Sequence, residues 1–425
     1  MASIVTSKFR IHNAQQFYES FSEAANTIMY LFVGKNTAFA NDNSPPTPIN
    51  STANIEYTPW RDMYGVKRIQ SADVTHAVPR YDWTSGTVYT AYDDTSTSLL
   101  TDTFYVMTED YNVYKCLFNN ASAASTTKPT GTSSARFTTA DGYIWKFMYT
   151  VSTAKALKFL TSDYMPIQTL ASDDGTTQWS VQSAAVDGAI EVIKVTSGGS
   201  GYATAPSVTI VGDGTGATAN ATITANVVTA VTITAAGTGY TKASVSFGSG
   251  AAAATAIISP RYGHGADPIE ELGAKYVMIN VRLDGSESNT ISTANEFRQV
   301  GIVRDPYLFG TTTRASASSY RQTFKYQLSG ISGTFSLDEI VTSGSNTATV
   351  VEWDTPNLYL TKPVNQNFAN AASITGSTST ATGTIAAITT PGLQPYTGDI
   401  LYVENRVPIS RAADQIEDVK LIIQF

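Results

Sequence analysis

The apolar positions of this chain change period several times, and each change predicts a different element. Asn13 followed by Gln16 has the form of a helix capping box, and Ala14, Phe17, Phe21 and Ala24 recur at spacings of three and four, which predicts a short amphipathic helix. It runs into Thr27-Ile-Met-Tyr-Leu-Phe-Val-Gly34, a continuous apolar stretch ending at glycine that reads as a buried strand. From Ala40 to Pro59 the text turns to Asn, Ser, Thr and Pro, with Pro45, Pro46 and Pro48 removing backbone donors, so a long exposed loop is expected. Strand-like runs resume at Thr103–Met107, Asn112–Phe118 and Tyr143–Tyr149. The last is apolar at both alternating sets of positions, so both of its faces should be covered in a β-rich lobe. Ser152 as N-cap, with Ala154, Leu157 and Phe159 as apolar contacts, predicts one or two helical turns before Pro166.

Two stretches repeat themselves. Gly199-Ser-Gly-Tyr202 returns as Gly237-Thr-Gly-Tyr240. Each copy is followed by a β-prone run, Ser207–Ile210 or Ser244–Phe247, and then by a Gly-Ala segment, Gly214–Ala217 or Gly248–Ala251. Turn, strand, turn is the repeated unit. Further on, Thr342–Thr349 is echoed by Thr375–Thr382. Two copies fall short of the roughly three that a free-standing solenoid needs, so each pair should form a compact β module on a larger body. Between and after the modules the earlier style returns in Ala274–Val281, Phe297–Val303 and Asp418–Ile422. The expected class is therefore α+β and predominantly β, a discontinuous mixed α/β body with a β-rich lobe and two small all-β insertions. The boundaries are 1–184 for the body with its lobe, 185–262 for the Gly/Thr/Ala-repeat insertion and 263–319 for the continued body. The second insertion spans 320–394, and 395–425 is a C-terminal body segment.

Composition narrows the function. The chain has 425 residues, more than one hydrophobic core usually serves, which supports several compact units. Charged residues make up 15%, against roughly a quarter in an average soluble protein, so the surface is polar through hydroxyls, as suits a protein built into an assembly or a secreted β protein. A net charge of -8 argues against binding a phosphate backbone, so no nucleic-acid partner is expected. The single cysteine, Cys116, cannot form an intrachain disulfide, which fits assembly in a reducing cytoplasm. Residues 1–10 lack the pattern of a secretory signal and no run approaches ~18 apolar residues, so neither export by a standard signal nor membrane insertion is expected.

Candidate chemistry is sparse. His12, His76 and His264 lie in separate segments without metal-ligand spacing, so no metal or cofactor is expected. The acidic pairs Asp93-Asp94, Asp173-Asp174, Glu270-Glu271 and Asp338-Glu339 could in principle serve glycoside hydrolysis, but adjacency does not set the required separation, and solvated loops are the expectation. Gly212–Gly216 lacks the Lys-Ser/Thr of a phosphate loop and reads as a β-turn. Cys116, inside an apolar run, reads as a buried inert thiol. Tyr202 and Tyr240 could stack on a sugar, although a tyrosine packed over its own glycine turn is the simpler reading. No catalytic residues and no small-molecule substrate are assigned. Arg80, Tyr81, Trp83, Tyr402 and Arg406 combine the residue types enriched at protein interfaces. The same types also pack domains internally, and both readings stay open.

Five blocks carry a resemblance: Ile4–Arg10, Ala77–Trp83, Asp141–Trp145, Phe297–Pro306 and, most specifically, Gly398–Pro408 followed by Asp414-Gln and the final Leu421–Phe425. In that order they resemble the baseplate wedge subunits encoded by gene eight of T4-like contractile-tail phages. The blocks cover the body, while the repeat insertions have no counterpart in the T4 subunit. The resemblance implies a non-catalytic virion protein of the tail baseplate, synthesised in the bacterial host cytoplasm. It also implies a protein that dimerises, joins other wedge subunits and helps couple host recognition to sheath contraction. A tail-associated glycan-binding or depolymerase protein, acting through the repeats, is the alternative.

Overall fold

A computed structural model describes residues 3–23 and 27–425. Among the described residues strands hold 41% and helices 11%, which makes the chain α+β and predominantly β. The chain divides into two compact units: residues 1–16, 75–278 and 422–425 form one, and residues 17–74 and 279–421 the other.

In the first unit, an antiparallel sheet runs in the order Tyr105–Met107, Asn112–Phe118, Ile144–Thr150, Phe137–Thr138. Tyr114 faces Phe147 and Cys116 faces Trp145 across it. One face carries Val106, Tyr114, Cys116, Trp145 and Phe147 into a cluster with Tyr89, Tyr143 and Val181. The other carries Tyr105, Met107, Val113, Met148 and Tyr149 against Ile11, Met165, Ile167 and Ile269. Both faces of the sheet are thus covered, which is why its strands are apolar at consecutive positions rather than alternate ones. Ser152 caps the helix Thr153–Phe159 by accepting from the Lys155 amide at 3.3 Å. Of the three apolar contacts expected there only Phe159 is buried; Ala154 is exposed and Leu157 is 80% exposed. A two-turn helix has room for one inward stripe, and Phe159 occupies it.

The first helix also departs from expectation. It spans Ser7–Glu19 and places Asn13 in its interior, with Ile11 and Ala14 as its buried residues. Thr6 Oγ1 accepts from the Phe9 amide at 3.2 Å and starts the helix earlier than the Asn13 box suggested. Phe17 and Phe21 pack edge to face with ring centroids 5.2 Å apart, and Ala24 lies outside the described residues.

The Gly-Tyr repeats form an interlocked module. Each copy supplies three strands: Ile190–Ser197, Val208–Gly212 and Thr215–Thr224 in the first, Val227–Thr238, Ala243–Phe247 and Ala253–Ile258 in the second. The first strand of each copy pairs with the third strand of the other, and the middle strands pair together. Gly214–Ala217, read as a turn, is a turn only at Gly214; from Thr215 it enters a ten-residue strand, because the partner copy extends the ladder.

In the second unit, five antiparallel strands run in the order Ser319–Arg321, Met63–Arg68, Met29–Gly34, Phe297–Arg304, Asp399–Ile409. Met29–Gly34 is buried at all six positions because it is central to the sheet. Gly301, on the adjacent strand, sits where a Cβ would collide with the Tyr402 carbonyl and the Phe32 ring, so only glycine fits between them. The expected loop of residues 40–59 is irregular up to residue 51. It then forms helical turns at Ala53–Tyr57 and Thr58–Asp62, where Pro59 stands at a helix start and Trp60 is buried. The Ser/Thr-Ala repeats are two hairpins, Ile340–Ser343 with Asn346–Asp354 and Ser373–Gly376 with Thr382–Thr389. With Phe324–Ser332 and Asn357–Leu360 they close a six-stranded barrel around Tyr326, Leu328, Val341, Val350, Leu358 and Ile385.

Candidate interface site

The five candidate interface residues fall in two groups. Arg80 leaves the end of strand Val74–Pro79, where its Nε donates to Asp82 Oδ1 at 2.9 Å and its Nη1 to the Thr161 carbonyl at 2.8 Å. Tyr81 packs against the lobe core with its ring 5.3 Å from Tyr105, and burial raises its phenol pKa. Trp83 donates its indole N–H to Ser125 Oγ at 3.2 Å and packs against the cluster around Trp145. These three share one corner of the first unit, each half-buried and each with an internal partner.

Tyr402 and Arg406 lie on the strand Asp399–Ile409 of the second unit and meet at one carboxylate. Tyr402 Oη donates to Glu404 Oε2 at 2.7 Å, and Arg406 Nε lies 2.8 Å from Glu404 Oε1. The strand itself is the more informative feature. It is eleven residues long, stands at the end of the sheet order and has no buried residue. Leu401 is 41% exposed and Val407 51%. Asn405 donates to the Pro46 carbonyl at 2.8 Å and Arg406 to the Lys420 carbonyl at 3.1 Å, but among the described residues only Phe297–Arg304 forms a ladder with it. Pro408, with no N–H, is tolerated because this is an edge. An edge of this length presents backbone donors and acceptors that another chain's strand can use.

Three of the sequence blocks that carry the resemblance, those at Asp141, Phe297 and Gly398, hold structural hubs. Asp141 accepts from Ser125 Oγ, the Thr126 and Thr127 amides, Thr139 Oγ1 and the Tyr143 amide. Burial pushes its carboxyl up, but those hydrogen bonds outweigh it and hold the pKa at about 2. Arg298 binds Asp42, Glu296 and the Asn36 carbonyl, pinning the loop after Met29–Gly34. Gln299 donates to Asn405 Oδ1 at 2.8 Å, joining the Phe297 block to the Gly398 block.

One charged constellation was not assembled from the sequence. Lys115, fully buried in strand Asn112–Phe118, donates to Glu271 Oε2 at 2.8 Å and lies 3.0 Å from His264 Nδ1. Its ammonium sits 4.1 Å from the centre of the Tyr92 ring. Glu271 Oε1 accepts from the Gly265 amide at 2.7 Å. Burial, then the Lys115 charge, lowers the His264 pKa to about 4; burial raises that of Glu271, but Lys115 and His264 bring it down to about 2. The expectation that Glu270-Glu271 is solvated is corrected at Glu271, which is buried with its charge compensated; Glu339 is likewise buried, accepting from the Ser336, Thr378 and Ser379 amides. Asp94, Asp173 and Asp174 are exposed. The available signal was a lysine inside an apolar, doubly covered strand, which requires a counter-charge. Cys116 is buried, and burial raises its thiol pKa far above the ordinary value. Among the described residues no group of three His, Cys, Asp or Glu could hold a metal ion, and no helix is long and apolar enough to cross a membrane.

A family model described as Bacteriophage T4, Gp8 matches residues 3–121, a stretch that includes the first two of the five blocks. The baseplate wedge protein gp8 of Enterobacteria phage T4 is 25% identical over 206 residues, covering 39% of this chain and 60% of that relative. The chain thus spans less than two thirds of the length of the relative that it matches. Its N-terminal residues 3–121 carry the match to the bacteriophage T4 Gp8 family, and the chain is similar to a baseplate wedge protein, the resemblance that its sequence blocks carry.

Proposed function

We propose that this chain is a structural wedge subunit of a contractile phage tail baseplate, located in the virion. Its similarity to a baseplate wedge protein is the observation that carries the reading. In this role it pairs with a second copy of itself and joins neighbouring wedge subunits. It helps transmit host recognition to sheath contraction through rigid-body rearrangement of its contacts. The edge strand Asp399–Ile409 supports the reading, since a sheet edge without a second ladder among the described residues suits a protein completed by its neighbours. Such a role needs no cofactor, nucleic acid or small-molecule substrate.

The test is assembly. Purified chain mixed with the other wedge subunits of its phage should migrate as one complex of defined mass, and a labelled chain should appear at the baseplate in images of virions. Turnover of host polysaccharide without complex formation would sink the proposal.

A further inference from the structure

Within the first unit a cleft of about 510 Å³ separates the aromatic lobe from the interlocked repeat module. That size falls in the ~300–1,000 Å³ range of small-molecule sites. The floor is apolar: Tyr92, Leu117, Val192 and Ile257 form a buried cluster, with Phe118 and Ile144 packed against it. The rim is polar and carries both signs of charge, with Asp93 and Glu191 as acids and Arg136 and Lys194 as bases.

Three rim groups retain hydrogen-bonding capacity. Glu191 accepts no hydrogen bond from the described residues; its Oε2 is shut off from solvent, so a ligand in the cleft meets the carboxylate at Oε1. Arg136 donates one long bond, 3.4 Å, from Nη2 to the Ile233 carbonyl, out of the five N–H donors of a guanidinium. Asn120 donates its Nδ2 to the Asp141 carbonyl at 3.0 Å, which leaves its amide oxygen as an acceptor. A fitting ligand therefore offers hydroxyl donors to Glu191 and Asn120, oxygen acceptors to Arg136 and an apolar face to the floor. Two carboxylates on the same rim disfavour a polyphosphate.

We infer that this cleft binds a short saccharide. The C–H face of one sugar ring lies on the half-buried Phe118 and Ile144, and vicinal hydroxyls bridge Glu191 and Arg136. The site is independent of the open edge strand and adds a ligand-binding function to the scaffold role.

The full-length chain is to be screened against an array of mono- to tetrasaccharides built from hexoses, N-acetylhexosamines and hexuronic acids, with inorganic phosphate and a heptapeptide library alongside. At least one saccharide is expected to bind. Glu191→Gln and Arg136→Ala should each weaken that binding about tenfold. Thr232→Trp, at an exposed position lining the cleft, should abolish it by filling the space, while Val211→Ser, exposed and outside the cleft, should leave it unchanged. Thermal unfolding of each variant reports whether the fold is retained, and Thr232→Trp keeps the test decisive if a rim variant fails to fold. No saccharide binding up to ~10 mM, binding that Thr232→Trp leaves unchanged, or a preference for phosphate or peptide overturns the inference.

Discussion

Lys115 shows what a single residue costs and settles. A buried ammonium is tolerated because Glu271 and His264 surround it, and removing one partner strands the other's charge in a low dielectric. Lys115→Met alone should destabilise the protein by about 3–5 kcal/mol, whereas Lys115→Met with Glu271→Gln should recover most of that loss. Urea unfolding of the two single variants and the double decides it; simple additivity would show that the pair is not coupled. The same residues predict an acid response. His264 and His76, both lowered to about 4 with burial the leading cause, are neutral in the folded chain, while the unfolded chain takes up protons below the ordinary value of 6.5. Stability should therefore be full above pH 6.5 and fall as pH drops from there towards 4; Glu271, held at about 2, adds a further loss between 4.5 and 2. His264→Gln should flatten the slope between pH 6.5 and 4, measured as the urea midpoint at intervals across that range. The need for a counter-charge at Lys115 was legible in its apolar strand, but Glu271 is 156 residues away and no local pattern points to it.

At the scale of elements, the repeats explain why two copies suffice. Tyr202 of the first copy lies over Gly250 of the second and accepts from the Ala252 amide at 2.9 Å. Tyr240 of the second lies over Gly214 of the first and accepts from the Ala217 amide at 3.3 Å. Each tyrosine thus packs on the other copy's Gly-Ala segment. At Gly237, with φ +65°, a Cβ would lie 2.5 Å from the Ala217 amide nitrogen, and Gly199 stands in the matching relation to Ala252. Tyr240→Phe should cost about 1 kcal/mol for the lost hydrogen bond, and Tyr240→Ala about 3–5 kcal/mol for the cavity. Calorimetry of the two variants would check the difference. The periodicity of the Gly-Tyr pairs was readable from sequence, whereas the exchange of strands between copies was not, because identical turn chemistry serves either pairing. Removal of residues 190–258 has a specific consequence: Val192 and Ile257 cover Tyr92 and Leu117, so the shortened chain should stay folded but aggregate. Making Leu117 polar as well should restore solubility, as light scattering would report.

For the whole molecule, the open strand Asp399–Ile409 is where the proposed assembly is most exposed to test. Leu401→Lys and Val407→Lys place charge on an edge, a device that blocks strand addition. Both side chains are exposed, so the thermal midpoint should hold while complex formation with wedge partners is lost; normal assembly of both variants would remove this strand from the interface. Sequence alone determined the predominantly β class, the apolar strands at Thr27–Gly34, Asn112–Phe118, Tyr143–Tyr149 and Phe297–Val303, the two pairs of repeats and the resemblance. Each of these rests on local periodicity, turn chemistry or motif order. Tertiary structure decided what those elements meet: the exchange of strands within the repeat module, the closure of the barrel, the Lys115–Glu271 pair and the placing of the Gly398 block at an open sheet edge. The physical reason is that pairing register and burial depend on residues tens to hundreds of positions apart, and a strand's own pattern does not record which neighbour completes it.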